Sequence, residues 1–306
     1  MNKPAFRLGD WAEVRSFAEI AGTLDSEGKL RGLPFMPEMI RYCGQRFQVS
    51  KRAERTCFAE RQRRLGDAVH LADLRCDGSA HDGCQLGCLL FWRDEWLKPV
   101  PDLALSAQAA MRADSDSPPE LVTRRTVDER EVRYVCQATE LGKLTREIRI
   151  WDFTQYAREL YQRNLTLQEI KQVIAWFFSW LEWRFFKLTS KTQATPTFQA
   201  EPIGPGDLVQ VRSKKDILET LTNRGHNFGL AFSAEMLMLC GKRYRVVNNV
   251  KKMIDEHTGK MRFTKRNCLT LDSATCKGAF KCCSRANYHF WRDEWLERLD
   301  TPNPEQ

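Results

Sequence analysis

The heptapeptide FWRDEWL stands at residues 91–97 and again, unchanged, at residues 290–296 of a 306-residue chain. A word of this length with two tryptophans does not recur by chance, so the chain is read first as a repeat. Working back from the two words, GDWAEVRS (9–16) lies over GDLVQVRS (206–213) at a shift of 197 positions. GLPFMPEMIRYCGQRFQV (32–49) lies over GLAFSAEMLMLCGKRYRV (229–246) at the same shift, which becomes 199 by the tryptophan words. The second copy has therefore gained two residues in its cysteine-bearing middle. The copies cover about residues 8–98 and 205–297. The reading divides the chain into a first cysteine-rich repeat (1–100), a linker and helical segment (101–200) and a second cysteine-rich repeat (201–306).

Within each copy the pattern is mainly that of short strands. RFQVSKR and RYRVVNN alternate apolar and polar side chains and are rich in β-formers, and DAVHLADL and NCLTLDSA have similar character. Between the first two strands, Ile20/Leu24 and Ile217/Leu221 have helical spacing, and Gly28 and Gly225 stand where a helix would stop. The expected fold class is α+β: two duplicated, small, mainly-β domains of SH3-like barrel or open-sheet character, each stapled by metal, joined by a helical middle. The GD-x-x-x-VRS opening supplies the SH3-like element of that reading.

The middle segment differs from both copies. Residues 112–130, RADSDSPPELVTRRTVDER, are polar and Pro/Ser-punctuated, as a linker or exposed loop would be. One helix is expected over about 154–161. A second starts at Thr166, with Glu169 completing a capping box, and runs to about Leu188. On it Ile170, Ile174, Phe177, Leu181, Phe185 and Leu188 share a face that Trp176, Trp180 and Trp183 widen. That face is expected to be buried between domains; Glu182, Arg184 and Lys187 leave a membrane-interface placement as the alternative.

Composition bounds the rest. An apolar fraction of 42% is enough to fill real cores. The N-terminus lacks the apolar stretch of a signal peptide, and no run is long enough to span a membrane. The expected location is the cytoplasm, where eleven cysteines point to ligands rather than disulfides. A net charge of +8 permits a nucleic-acid partner without requiring one, and the basic stretches LTNRGHN and KKMIDEHTGKMRFTKR read as solvated loops that could touch phosphates. No dinucleotide-binding glycine pattern, Walker loop or nucleophile elbow is present.

Ten of the eleven cysteines fall inside the copies, with Cys136 outside, which is not how filler cysteines distribute. In copy one the stretch CDGSAHDGCQLGC lets the backbone turn tightly, so that Cys76, Cys84 and Cys88 with the more distant Cys57 supply four soft ligands. Such a set suits tetrahedral Zn²⁺ or an iron–sulfur cluster, with His81 as a spare ligand or a donor behind the ligands. Copy two offers Cys268, Cys276 and the pair Cys282/Cys283, of which one points away. Its fourth ligand would be the other thiol, Cys240, His289 or His226, or would be absent, and an open position is what a catalytic metal has. Cys43 and Cys240 read as core thiols. The tryptophan word then serves as an apolar lid over the pinned loop, with Arg93, Asp94 and Glu95 facing outward or pairing locally; a base role for Asp94/Glu95 and Asp293/Glu294 is the lesser reading.

The series GD-x-x-x-VRS, GL-x-F-x-x-EM, C-G-x-R-[FY], CDGSAH-x-GC-x-x-GC and FW-x-x-x-WL resembles a group of uncharacterised bacterial proteins built on the same duplicated pattern. The resemblance covers both repeats and parts of the middle; it implies a bacterial cytoplasmic protein and carries no activity or substrate with it. Two functions remain open. One is a tandem cysteine-ligated metal protein, with Zn or an iron–sulfur cluster, acting as a scaffold or accessory binder of a protein partner. The other is an iron–sulfur or non-haem iron enzyme of a biosynthetic pathway, in which the copy-two site is catalytic, a small molecule is the substrate and the aromatic helix walls a pocket.

Overall fold

The computed structural model describes residues 5–58, 61–100, 121–128, 131–148, 167–189, 202–278 and 283–299. It is α+β, with antiparallel strands throughout and few helices. By contacts the chain forms two units. The first is Met1–Thr166 with Lys252–Arg262 and Lys281–Ala286; the second is Leu167–Lys251, Phe263–Phe280 and Asn287–Gln306. This division cuts across the sequence repeats, because two pieces of the second repeat belong to the first unit.

The first unit holds a five-stranded sheet built from β1 (Trp11–Val14), β2 (Arg46–Arg52), β3 (Ala68–Leu71), β4 (Trp92–Arg93) and β5 (Leu97–Pro99), in the order β4-β3-β2-β1-β5. Alternation places Ala12 and Val14 of β1 in the core. β2 serves two neighbours: residues 46–48 pair with β1, and beyond a register shift between Val49 and Lys51 the strand pairs with β3. A one-turn 3-10 helix, Asp94–Trp96, separates β4 from β5. This unit also holds the hairpins Thr56–Phe58 with Arg61–Arg64 and Arg124–Asp128 with Glu131–Tyr134, and the helix Gln137–Leu144. The second hairpin lies inside the stretch read as a linker, so residues 124–128 are strand rather than loop.

FWRDEWL explains the centre of that sheet. Trp92 and Trp96 are wholly buried, and Phe35 stands edge-on to both rings, at 6.3 and 5.2 Å between centroids. Trp96 Nε1 donates to Thr23 Oγ1 at 3.2 Å. Arg93 departs from the outward position expected of it. It is buried, donating to Asp67 Oδ1 (2.8 Å) and to the carbonyls of Leu30 (3.2 Å) and Arg31 (3.0 Å). Its five fixed donors suit a site where several carbonyls must be satisfied out of water. Asp94 pairs with Arg52, and Glu95 with Arg31. These carboxylates hold arginines rather than offer a base.

The second unit contains β6 (Leu208–Val211), β7 (Arg243–Asn249), β8 (Leu269–Thr275), β9 (Tyr288–Trp291) and β10 (Leu296–Arg298), in the order β9-β8-β7-β6-β10. Phe232 stands edge-on to Trp291 and Trp295, at 6.2 and 5.2 Å. Trp295 Nε1 donates to Thr220 Oγ1 at 2.9 Å.

Two local expectations are corrected. The helix in each copy is a short Phe17–Ala21 or Lys214–Glu219 and stops well before the glycine. Asp25 Oδ1 accepts from the amides of Glu27 and Lys29 and captures the chain in a turn, in which Gly28 supplies φ +72°. The long helix is present as Leu167–Thr189 in the second unit, but the face expected to be buried faces out: Ile174, Phe177, Phe178, Leu181 and Phe185 are exposed. The inward arc is instead Ser179 and Trp183, with Trp180 and Phe186 half-buried; Trp183 meets Phe232 at 5.8 Å. Apolar residues nearly circle this helix, so periodicity could not choose its inner side. The helix expected over 154–161 lies outside the described residues.

Trp92→Ala and Trp291→Ala should each remove about 3–5 kcal/mol from their own unit, measured by urea unfolding followed at both transitions. Ile174→Ser should change stability by less than about 0.5 kcal/mol. A cost at Ile174 matching that at Trp92 would contradict the assignment of the exposed helix face.

Candidate metal centre

The site is built from the stretch CDGSAHDGCQLGC, which leaves β3 and returns to β4. Its neck closes where Cys76 N donates to Cys88 O at 2.8 Å and Leu90 N to Leu74 O at 2.9 Å. Inside the neck, Asp77 Oδ1 accepts from Ser79 N (2.9 Å) and Ser79 Oγ (2.7 Å), an Asx turn. Gly78 accepts at its carbonyl from both His81 N and Gly83 N, at 2.9 Å each. Gly78 has φ +75°, and a Cβ there would collide with the backbone of Cys84. Only glycine fits, and the tight turn that results aims His81 inward, where it is buried.

Two further pieces of chain meet this loop. The short 3-10 helix Pro37–Tyr42 begins with proline and packs Met39 into the core, which carries Glu38 inside with it. The helix Gln137–Leu144 is clamped to Phe91 by Gln137, whose Oε1 accepts from Phe91 N (2.8 Å) and whose Nε2 donates to Phe91 O (2.9 Å). Cys136, one residue earlier, is thereby delivered to the same place. The result is a cavity of about 30 Å³, room for about two waters, walled by Cys76, Cys84, Cys88 and Cys136 with Glu38 and His81. Phe91 lines it, whereas the tryptophans of FWRDEWL lie in the core and not over the loop. Ile254 and Arg285, from the second repeat but in the first unit, complete the wall.

The ligand atoms of Glu38, Cys76 and His81 all lie within 4.8 Å of one another, and this is the one such group of three among the described residues. Cys76 Sγ is 4.0 Å from His81 Nδ1. Both oxygens of the Glu38 carboxylate are buried with no hydrogen bond, and so is His81 Nε2. The Cys76 thiol lies beside Glu38, and S–H donates only weakly. Burial, with Glu38 beside it, pushes the Cys76 thiol well up. Burial also raises Cys88, and takes Cys136 up to about 12. His81 is lowered by burial, which favours the neutral imidazole that metals bind. The cavity therefore disfavours bare thiolates, and a cation inside it would reverse that preference.

The other residues anticipated as ligands sit elsewhere. Cys57 lies on the hairpin Thr56–Phe58 and meets Cys283, with their sulfurs 3.2 Å apart. Cys268 is buried immediately before β8; Val250 N donates to its carbonyl as Ala53 N does to Ala68 O, so this thiol fills the core position that alanine occupies in copy one. Cys276 N donates to Asn287 O at 2.8 Å, the equivalent of the Cys76–Cys88 neck with asparagine in place of the second cysteine. His289 Nε2 faces Glu235 Oε2 at 3.6 Å, His226 bonds the Arg224 carbonyl, and Cys240 donates to Met236 O. Cys282 lies outside the described residues. Among the described residues, no group of three ligands forms around Cys268, Cys276 or His289.

Glu38 and Cys136 were not legible as site residues, though Glu38 had a signal: the EM of GLPFMPEM recurs at Glu235, an acid kept amid apolar neighbours in both copies. Cys136 had none, because its position depends on Gln137 binding Phe91. The charged stretch 251–266 is largely engaged in local pairs, Arg262 with Asp255, Lys260 with Glu131, and Arg266 over the Phe228 ring. No helix among the described residues is long and apolar enough to cross a membrane. No family model, no curated protein and no solved structure matches this chain.

Next to the cavity, His70 is wholly buried, with Nδ1 against Leu90 O (2.9 Å) and Nε2 against Ser284 Oγ (3.0 Å). Burial lowers it from 6.5 to about 4. The unfolded chain therefore takes up this proton below pH 6.5, and the folded unit does so only near pH 4. Stability contributed by neutral His70 is complete above pH 6.5 and is lost as pH falls toward 4, by up to about 3 kcal/mol. Urea unfolding from pH 7 to pH 4 should show that decline in the native chain and a flatter profile in His70→Gln. An unchanged slope in His70→Gln would assign the decline to other groups.

Proposed function

We propose that this protein is a cysteine-ligated metal-binding protein whose centre lies in the first unit, with Glu38, Cys76 and His81 holding a divalent ion and one of the neighbouring cavity thiols completing its shell. The observation that carries this reading is the Glu38 carboxylate, buried with no hydrogen-bond donor beside a thiol and an imidazole. Burying an ionised carboxylate unpaired is costly, and a cation is the partner that offsets it. A mixed oxygen, sulfur and nitrogen set suits Zn²⁺, which is borderline-soft and accepts all three. Bound there, the ion would tie the turn carrying Glu38 to the loop carrying Cys76 and His81, and its binding free energy would be folding free energy. The protein is then a stapled scaffold or accessory binding protein.

The common strand order of the two sheets, with the third strand from either edge shared between two neighbours and a 3-10 turn before the last strand, supports an origin by duplication of one small SH3-like unit. A second reading, an iron–sulfur cluster, is favoured by four thiols, Cys76, Cys84, Cys88 and Cys136, lining one cavity. In either case the centre belongs to the first unit rather than to the copy-two cysteines.

Elemental analysis of protein purified anaerobically should give one zinc per chain and no visible absorption. Iron with acid-labile sulfide and absorption near ~400 nm would select the cluster. Cys76→Ser and Glu38→Gln should lose the metal while Cys268→Ser keeps it. Chelation should lower Tm by roughly 5–10 °C. Metal-free native protein, or Cys76→Ser with full metal content, would refute the site.

A further inference from the structure

The four residues 283–286 come from the second repeat but lie in the first unit, and almost every one is held there by a directed contact. Ser284 N donates to Arg55 O at 3.0 Å, and His70 meets Ser284 Oγ. Arg285 Nη1 donates to Cys57 O at 2.9 Å and pairs with Glu256 at 2.8 Å, while Arg75 Nη2 donates to Ala286 O at 3.2 Å. The remaining contact is between two sulfurs, Cys57 Sγ and Cys283 Sγ, 3.2 Å apart. Neither thiol lines the metal cavity, and neither belongs to a group of three ligand atoms among the described residues.

We propose that Cys57 and Cys283 form a reversible disulfide that latches this segment, and with it Arg285, onto the first unit. A bond needs the sulfurs to approach to about 2.05 Å, a movement of about 1 Å that side-chain rotation can supply. Cys57 is the half-exposed member and Cys283 the buried one, so an oxidant reaches Cys57 first. The thiolate is the attacking species. The oxidant is a low-molecular-weight disulfide. The Cys57 thiolate attacks one of its sulfurs, a mixed disulfide forms and the first small thiolate leaves. Cys283 then attacks the Cys57 sulfur of the mixed disulfide and the second small thiolate leaves. One S–S bond breaks and one forms. The two protons of the protein thiols end on the two released thiols, and the protein is oxidised by two electrons as the reagent is reduced.

The latch has a structural consequence because Arg285 lines the metal cavity. In the dithiol form the segment is held by hydrogen bonds and an ion pair and can leave; in the disulfide form Arg285 stays. The proposal rests on thiols outside the proposed metal site, so it stands or falls apart from that reading.

The test uses the full chain, as purified and after chelation, equilibrated with glutathione disulfide and then assayed for free thiols and for linked tryptic peptides. Two thiols per chain should disappear and return with dithiothreitol. The linked pair should be TCFAER (56–61) with CCSR (282–285). Cys282→Ser should retain the link, which Cys57→Ser and Cys283→Ser should lose. The oxidised chain should also be cut more slowly by trypsin after Arg285. No loss of thiols in the native chain, a link that survives Cys283→Ser, or a link between other cysteines would each overturn the proposal. The peptide map of the native chain decides the matter even if a serine variant folds poorly.

Discussion

A carboxylate buried without a donor on either oxygen is among the more expensive features a small fold can hold, and Glu38 is such a group. It is inside because its neighbours are: the proline at 37 starts the turn, and Met36 and Met39 on either side are core residues. The chain could not expose Glu38 without withdrawing both methionines. Three other features bring ligand-type side chains to the same cavity. The Asx turn at Asp77 and the glycine at 78 bring an imidazole inward, the neck hydrogen bond fixes Cys76, and Gln137 delivers Cys136. A buried acid met by ligand-type side chains from separate pieces of chain is the feature on which the metal-binding proposal rests.

The central strands were legible because each carries its own signal. RFQVSKR and RYRVVNN match β2 and β7 from end to end, and the buried tryptophans follow from a word written twice. The site was half legible for the same reason. Cys76, Cys84, Cys88 and His81 lie within one short loop whose glycines announce its tightness. What the sequence hid was non-local. Glu38, Cys136, Ile254 and Arg285 reach the cavity through tertiary contacts, and no spacing rule connects positions so far apart in the chain. Cys57 was read as the more distant fourth ligand, yet its hairpin carries it to Cys283 instead. Arg93 was hidden differently: an arginine in a polar triplet reads as surface, and only the carbonyls of Leu30 and Arg31 explain its burial.

The corresponding positions of the second repeat differ from the proposed centre by few changes. In copy two, Glu235 and Cys276 remain at positions equivalent to Glu38 and Cys76, but Asn287 stands at the neck where Cys88 stands in copy one. Glu235 has also found other partners there, the amide of Lys277 at 3.2 Å and His289. A carboxylate with a donor no longer requires a cation. On the metal-binding proposal, the divergence of the ligand sets would reflect those contacts of Glu235 rather than a catalytic site in copy two.

Charge balance supports the same assignment and limits how many thiolates can join it. A divalent ion with the Glu38 carboxylate, the Cys76 thiolate and a neutral His81 sums to zero, the state that costs least to bury. Each further thiolate from Cys84, Cys88 or Cys136 adds a negative charge that the cavity must compensate. The one cation lining it is Arg285, and Glu256 already neutralises that guanidinium at 2.8 Å. With a second cavity thiol completing the shell as a thiolate, the proposed mononuclear centre would carry one net negative charge. A four-thiolate cluster would draw Arg285 away from Glu256 and toward the sulfurs. The position of Arg285 is in turn held by the segment that Cys283 anchors. The charge the cavity can tolerate and the contact between two sulfurs on its flank are therefore linked through one guanidinium.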